Sequence, residues 1–171
     1  FHLDREVVDD LVGQIVMDEV RRVTRDGEGR HGRLIELKRI MQDEGRLTAD
    51  MLIIALREGD SSLFASMFGR MASLGEDLVG RMLFDHDGKG LAIACRSANV
   101  GRIAFVSIFT LAQKMLSKDD KAIRLRLSAA LDFHDIFSRE AADEVLGRWR
   151  SGVGYVNSIR KAEHELRKSN R

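Results

Sequence analysis

Asp85-His86-Asp87-Gly88-Lys89-Gly90 gathers two carboxylates, an imidazole and an amine into one short run, and two chemistries use runs of this kind. A calcium loop counted from Asp85 needs an oxygen ligand at its fifth place and a bidentate Glu at its twelfth. Lys89 and Arg96 stand there. A phosphate-cradling loop needs a glycine four intervening residues before the Gly-Lys pair and a Ser or Thr after it, where this chain has Leu83 and Gly90. The run therefore reads as a glycine-rich turn, with Asp87 capping the helix that follows. The five histidines (His2, His31, His86, His134 and His164) include no pair at the three- or four-residue spacing that puts two imidazoles on one helix face. His134-Asp135 and Asp85-His86 are sequence neighbours, which on a helix point apart; surface or capping histidines are expected. Cys95 is the single cysteine. It lies in an apolar helical pattern, as a buried, reduced thiol does. These patterns imply no catalytic residue, no metal ligand set and no cofactor.

Two basic features remain. Leu52-x-Ile54-Ala55-x-Arg57-x-x-Asp60 returns, 39 residues on, as Leu91-x-Ile93-Ala94-x-Arg96-x-x-Asn99. Arg57 and Arg96 then end the first helix of two similar units, ahead of the cap-type residues Asp60 and Asn99. In a stack of such units each guanidinium would meet last-turn carbonyls or a nearby carboxylate (Glu58 or Asp60), a polar ladder that fixes repeat geometry. The alternative is a ligand-facing basic pair. Near the C-terminus, Arg148, Arg150, Arg160 and Lys161, with Arg167, Lys168 and Arg171, surround Trp149 and Tyr155. Such a set could clamp and stack on nucleic acid, but Glu144, Glu163 and Glu165 dilute it, which favours a solvated terminal helix.

These residues need elements to hold them, and the apolar spacing is helical throughout. Leu3, Val7, Val8, Leu11, Val12, Ile15, Val16, Val20 and Val23 predict a first amphipathic helix. Leu34 to Met41 predict a second, ending near Gly45. Thr48 caps a third over 51–56, stopped by Gly59, and Asp60 caps a fourth over 63–71. Further helices follow at 78–83, at 91–97 behind Asp87, at 103–116 behind Asn99, at 119–134 and at 138–150. The last starts at Val153 and loses its apolar stripe after Ile159, so a frayed tail is expected over 161–171. The period near 40 with helical texture predicts an all-α fold of about eight to ten helices. Its architecture is stacked antiparallel helix pairs, as a HEAT-like α-solenoid or an irregular helical bundle, with 48–72 and 91–116 as repeat-like pairs.

The composition fits one all-helical domain over residues 1–171. Its 28 basic and 27 acidic residues give a net charge of +1, too balanced for long-range attraction to nucleic acid or anionic lipid. No proline interrupts the chain. No apolar run reaches membrane-spanning length and no secretory signal opens it, so a cytoplasmic protein is expected. Beginning on Phe1, the chain reads as a piece of a longer one.

Gly45-Arg46-Leu47-Thr48-x-x-x-Leu52, then Ala55-Leu56-Arg57-Glu58-Gly59-Asp60-x-x-x-Phe64, then Leu83 with Asp87-Gly88-x-Gly90-Leu91-Ala92-x-Ala94-Cys95-Arg96 together carry a resemblance. They resemble an alphaproteobacterial family of all-helical, HEAT-related proteins of unknown function, of the domain of unknown function 2336 type. The resemblance is specific over about residues 45–115. It implies a cytoplasmic bacterial protein with no catalytic residues to carry over. The function expected is a non-enzymatic module that docks a protein partner in bacterial regulation or signalling; the alternative is a nucleic-acid-associated helical repeat using the basic C-terminal segment.

Overall fold

The computed structural model describes residues 29–42, 46–152 and 154–169. The amphipathic helix expected over 3–23 lies outside the described residues. Those residues form nine helices and no strands: α1 (Arg30–Gln42), α2 (Ala49–Arg57), α3 (Ser61–Ala72), α4 (Glu76–Leu83), α5 (Lys89–Ser97), α6 (Arg102–Leu116), α7 (Asp120–Ile136), α8 (Arg139–Arg150) and α9 (Tyr155–Ser169).

Local chemistry sets most of the boundaries. Thr48, Asp60 and Ser138 each accept a hydrogen bond from the backbone N–H three residues on, at Met51, Leu63 and Ala141. Asp119 accepts from Lys121 and Ala122 and starts α7. Each cap satisfies donors that a helix N-terminus otherwise leaves unpaired. The α2–α3 and α5–α6 turns share one closing motif. After α2, Gly59 N–H donates to Leu56 O and Asp60 N–H to Ala55 O; after α5, Asn99 N–H donates to Arg96 O and Val100 N–H to Cys95 O. Gly59 (φ 78°) and Asn99 (φ 58°) hold the left-handed position this motif requires.

The motif corrects two expectations. Ala49 and Lys89 begin the paired helices and Arg57 and Ser97 end them, so the backbone offset is 40 (89 − 49), not 39. Asn99 matches Gly59 rather than Asp60. It ends α5 and does not cap α6, whose N-cap is Gly101. The echo matched chemically similar side chains, but hydrogen-bonded turns set the backbone register, and the two differ by one residue. At the C-terminus the described residues are helical through Ser169.

One hydrophobic core runs from Leu37 on α1 to Trp149 on α8. Phe64, Phe68, Phe105 and Phe109 form its bulky centre, with Phe64 stacked on Phe68 at 5.5 Å. α5 is the innermost element: every residue from Gly90 to Cys95 is buried, and it packs against α4, α6, α7 and α8. An all-round apolar helix of this kind is stable only when enclosed. α2 packs against α3 and α6. The two similar first helices, α2 and α5, both pack against α6. No helix among the described residues is long and apolar enough to cross a membrane.

Candidate functional site

Among the described residues, polar side chains from several helices meet at the turn between α4 and α5, the same Asp85–Gly90 run that stands out in the sequence. Its backbone is fixed from beneath. Gly88 has φ 64°, and a Cβ there would overlap the Phe109 ring, so only glycine combines that conformation with that packing. Gln113 on α6, fully buried, donates from Nε2 to Asp85 O at 3.1 Å. The Gln113 amide oxygen accepts from Arg126 Nη1 at 3.4 Å, and the same guanidinium nitrogen lies 3.4 Å from His86 Nδ1. Asp87 Oδ1 accepts from Lys89 N–H at 3.1 Å, although the residue at the cap position itself is Gly88.

From above, α9 covers the start of α5. Lys89 Nζ is paired with Glu163 of α9 and lies 3.3 Å from Asp87 Oδ2. The Tyr155 ring packs edge-on to Trp149 at 5.0 Å, and its hydroxyl sits where a Cβ on Gly90 would be. That hydroxyl and the indole Nε1 of Trp149 are buried without a hydrogen-bond partner. Electrostatics follow the packing. Burial, reinforced by the Asp87 charge, raises the Asp85 carboxyl above its ordinary range. Burial, with Asp85 and Asp87 nearby, pushes the Tyr155 phenol up. For Lys89 burial acts in the lowering direction, but the bonds and charges of Glu163 and Asp87 outweigh it and hold the ammonium above its usual value. Among the described residues no group of three or more His, Cys, Asp and Glu side chains could hold a metal ion. The cluster binds its own chain: its amine and carboxylates are arranged to attract a charged helix.

The other candidate residues are dispersed. Asp60 caps α3 and its carboxylate lies 3.8 Å from Lys38. Arg96 reaches the end of α7, where Nε donates to Phe137 O at 2.9 Å. Arg57 lies half-buried on the last turn of α2, which packs on α6. Glu58, expected beside Arg57, takes Arg33 of α1 as a partner, Nη2 to Oε1 at 2.5 Å. In the basic segment, Arg150 turns onto the end of α3: Nε and Nη2 donate to Ala72 O at 3.1 and 2.5 Å and so finish that helix. Arg148, Arg160 and Lys161 are exposed. Cys95 is fully buried, and burial pushes its thiol well up, which suits an inert core residue rather than a nucleophile.

His134 departs from expectation. It is fully buried, stacked on Phe105 at 5.1 Å, with Nε2 3.2 Å from Val100 O and Nδ1 3.3 Å from Asp135 Oδ1. A carbonyl can only accept, so Nε2 is the donor in its contact with Val100 O. Asp135 also faces Arg102 at 3.5 Å. Spacing on α7 had suggested that His134 and its neighbour point apart. The carboxylate instead turns back at the end of the helix, and α5 and α6 close over the imidazole. Gln113 carried no motif in the sequence, and Tyr155 stood out only as an aromatic among bases, since Asp85 and Gly90, which they meet, lie far off in the chain.

Comparison with known proteins gives one assignment. Residues 1–147 match the family described as "Uncharacterised protein conserved in bacteria (DUF2336)". The chain belongs to this family. The match takes in α1 to most of α8 and stops short of α9. No curated protein and no solved structure matches the chain.

Proposed function

We propose that this DUF2336 chain is a non-enzymatic, HEAT-like helical module that docks a protein partner in the bacterial cytoplasm, in regulation or signalling. The observation that carries the reading is the solvent side of α6 and α7. Ile103, Met115 and Leu116 on α6, and Leu125 and Ile136 on α7, are all exposed large apolar side chains; Leu125 is 68% and Ile103 65% exposed. α6 and α7 pack on each other, so these residues belong to one helical layer. Exposed apolar groups grouped on adjacent helices mark contact surfaces more often than isolated ones do. The polar residues found together bind one another and the backbone, which supports recognition over catalysis.

The test is site-specific photo-crosslinking in the native cell. Probes at Ile103 and Leu125 should capture the same protein, a probe at Arg148 should not, and Leu125→Glu should abolish capture while leaving the melting temperature unchanged. Nucleic acid captured at Arg148, Arg160 and Lys161 would select the nucleic-acid reading instead. No specific adduct at any of these positions would overturn both.

A further inference from the structure

α9 stands apart from the other helices in how it is held. It lies beyond the residues matched to the family, yet the Lys89 and Gly90 it touches lie within them. It follows α8 through Ser151-Gly152, where Gly152 (φ 79°) donates to Trp149 O and ends the helix. Among the described side chains of α9, Tyr155, Ile159 and Glu163, at four-residue steps, are half-buried, while Val156, Arg160, Lys161, His164, Arg167 and Lys168 are exposed. One narrow face thus makes the contact. An aromatic ring packs on Trp149 and over Gly90, an aliphatic residue follows, and a carboxylate then pairs with Lys89. The fit is incomplete in one respect: the Tyr155 hydroxyl and Trp149 Nε1 are buried without partners, and buried unpaired polar groups weaken an interface. A helix with two unpaired polar groups buried beneath it is held loosely enough to be exchanged.

We infer that the groove formed by Trp149, Gly90 and Lys89 is a helix-binding site, and that α9 is its built-in, displaceable occupant. The partner it fits is a helix of another protein that presents an aromatic, an aliphatic and an acidic side chain at successive four-residue steps. Gly90 leaves room for the ring, and Lys89 selects the acid. While seated, α9 blocks this site, because a tethered occupant competes at an effective concentration on the order of millimolar. This surface is separate from the α6–α7 layer, so the inference stands or falls independently of the function proposed above.

The experiment uses the full chain and its Tyr155→Ala and Glu163→Lys variants, with a fluorescently labelled peptide of residues 155–169 as probe. Both variants should show faster amide exchange in α9 with α2–α8 unchanged, and should bind the peptide at least about ten-fold more tightly than the wild-type chain, whose own α9 competes. A peptide carrying Glu163→Lys should not bind either variant, and should bind once Lys89→Glu is added to the Tyr155→Ala chain. Several outcomes would overturn the proposal: unchanged exchange in α9, no binding to the variants, equal binding to wild type and variants, or loss of α2–α8 together with α9. Concentration-dependent dimers of the wild-type chain that exchange α9 would assign the groove to a second copy, and would overturn the heterologous partner.

Discussion

Gly88 and Gly147 show how one residue type carries opposite consequences. At Gly88 a methyl group would meet the Phe109 ring, in a left-handed conformation. Gly88→Ala should lower stability by about 2–4 kcal/mol, combining backbone strain with overpacking. Gly147 is helical and has nothing within 4 Å of a Cβ. Gly147→Ala should raise stability by about 0.5–1 kcal/mol. Denaturant titrations of the two variants check both signs, and a stable Gly88→Ala protein would refute the packing described for the turn. His134 is the second residue whose role is set by enclosure. His134→Ala removes a buried ring stacked on Phe105 and its contact with Val100 O, at an expected cost of about 2–4 kcal/mol. His134→Phe should recover part of the packing but leave that carbonyl unpaired.

The two matched turns allow a prediction at the scale of elements. Asn99 holds a left-handed position that Gly59 fills in the other turn. Asn99→Gly should therefore be neutral or mildly stabilising, whereas Gly59→Ala should cost about 1–2 kcal/mol. Equal melting temperatures for the two variants would argue against a shared closing motif. α9 should respond to alkali. Lys89 and Tyr155 both have raised values in the folded state, against ordinary values of 10.5 and 10.0. A group whose folded value is raised contributes stability that is complete below its ordinary value and lost as pH climbs through the folded one. Seating of α9 should thus persist at neutral pH and weaken above about pH 10. The chain has one tryptophan and one tyrosine, and they touch, so Trp149 emission followed through an alkaline titration reports the loss. A Tyr155→Phe, Lys89→Met variant should lack that alkaline change.

At the scale of the molecule, the described residues are held by an apolar core enclosing α5. Chelators should accordingly leave the melting temperature unchanged, as the ligand spacings in the sequence also imply; a stoichiometric metal retained through purification would reopen enzyme chemistry. The ion pairs between helices, such as Arg33–Glu58 and Lys89–Glu163, are partly solvated. Each adds little to global stability, typically below about 1 kcal/mol, and they serve chiefly to orient α1 and α9.

Most helix boundaries and the caps at Thr48 and Asp60 were legible in the sequence, because periodic apolar spacing and capping depend on residues only a few positions apart. Membership of the family was legible for a related reason: the Gly59-Asp60 and Asp87-Gly88-x-Gly90 turns are local motifs. The one-residue error in the repeat arose because side-chain similarity was taken for backbone register, which only the hydrogen bonds at Gly59 and Asn99 define. The tertiary structure alone decided which elements meet. It enclosed His134, tied Arg150 to the end of α3, packed α2 on α6, and laid Tyr155 and Glu163 over Gly90 and Lys89. Those contacts join residues as many as 78 apart in the chain, and no local spacing encodes them. They follow from the way amphipathic helices bury their apolar faces together.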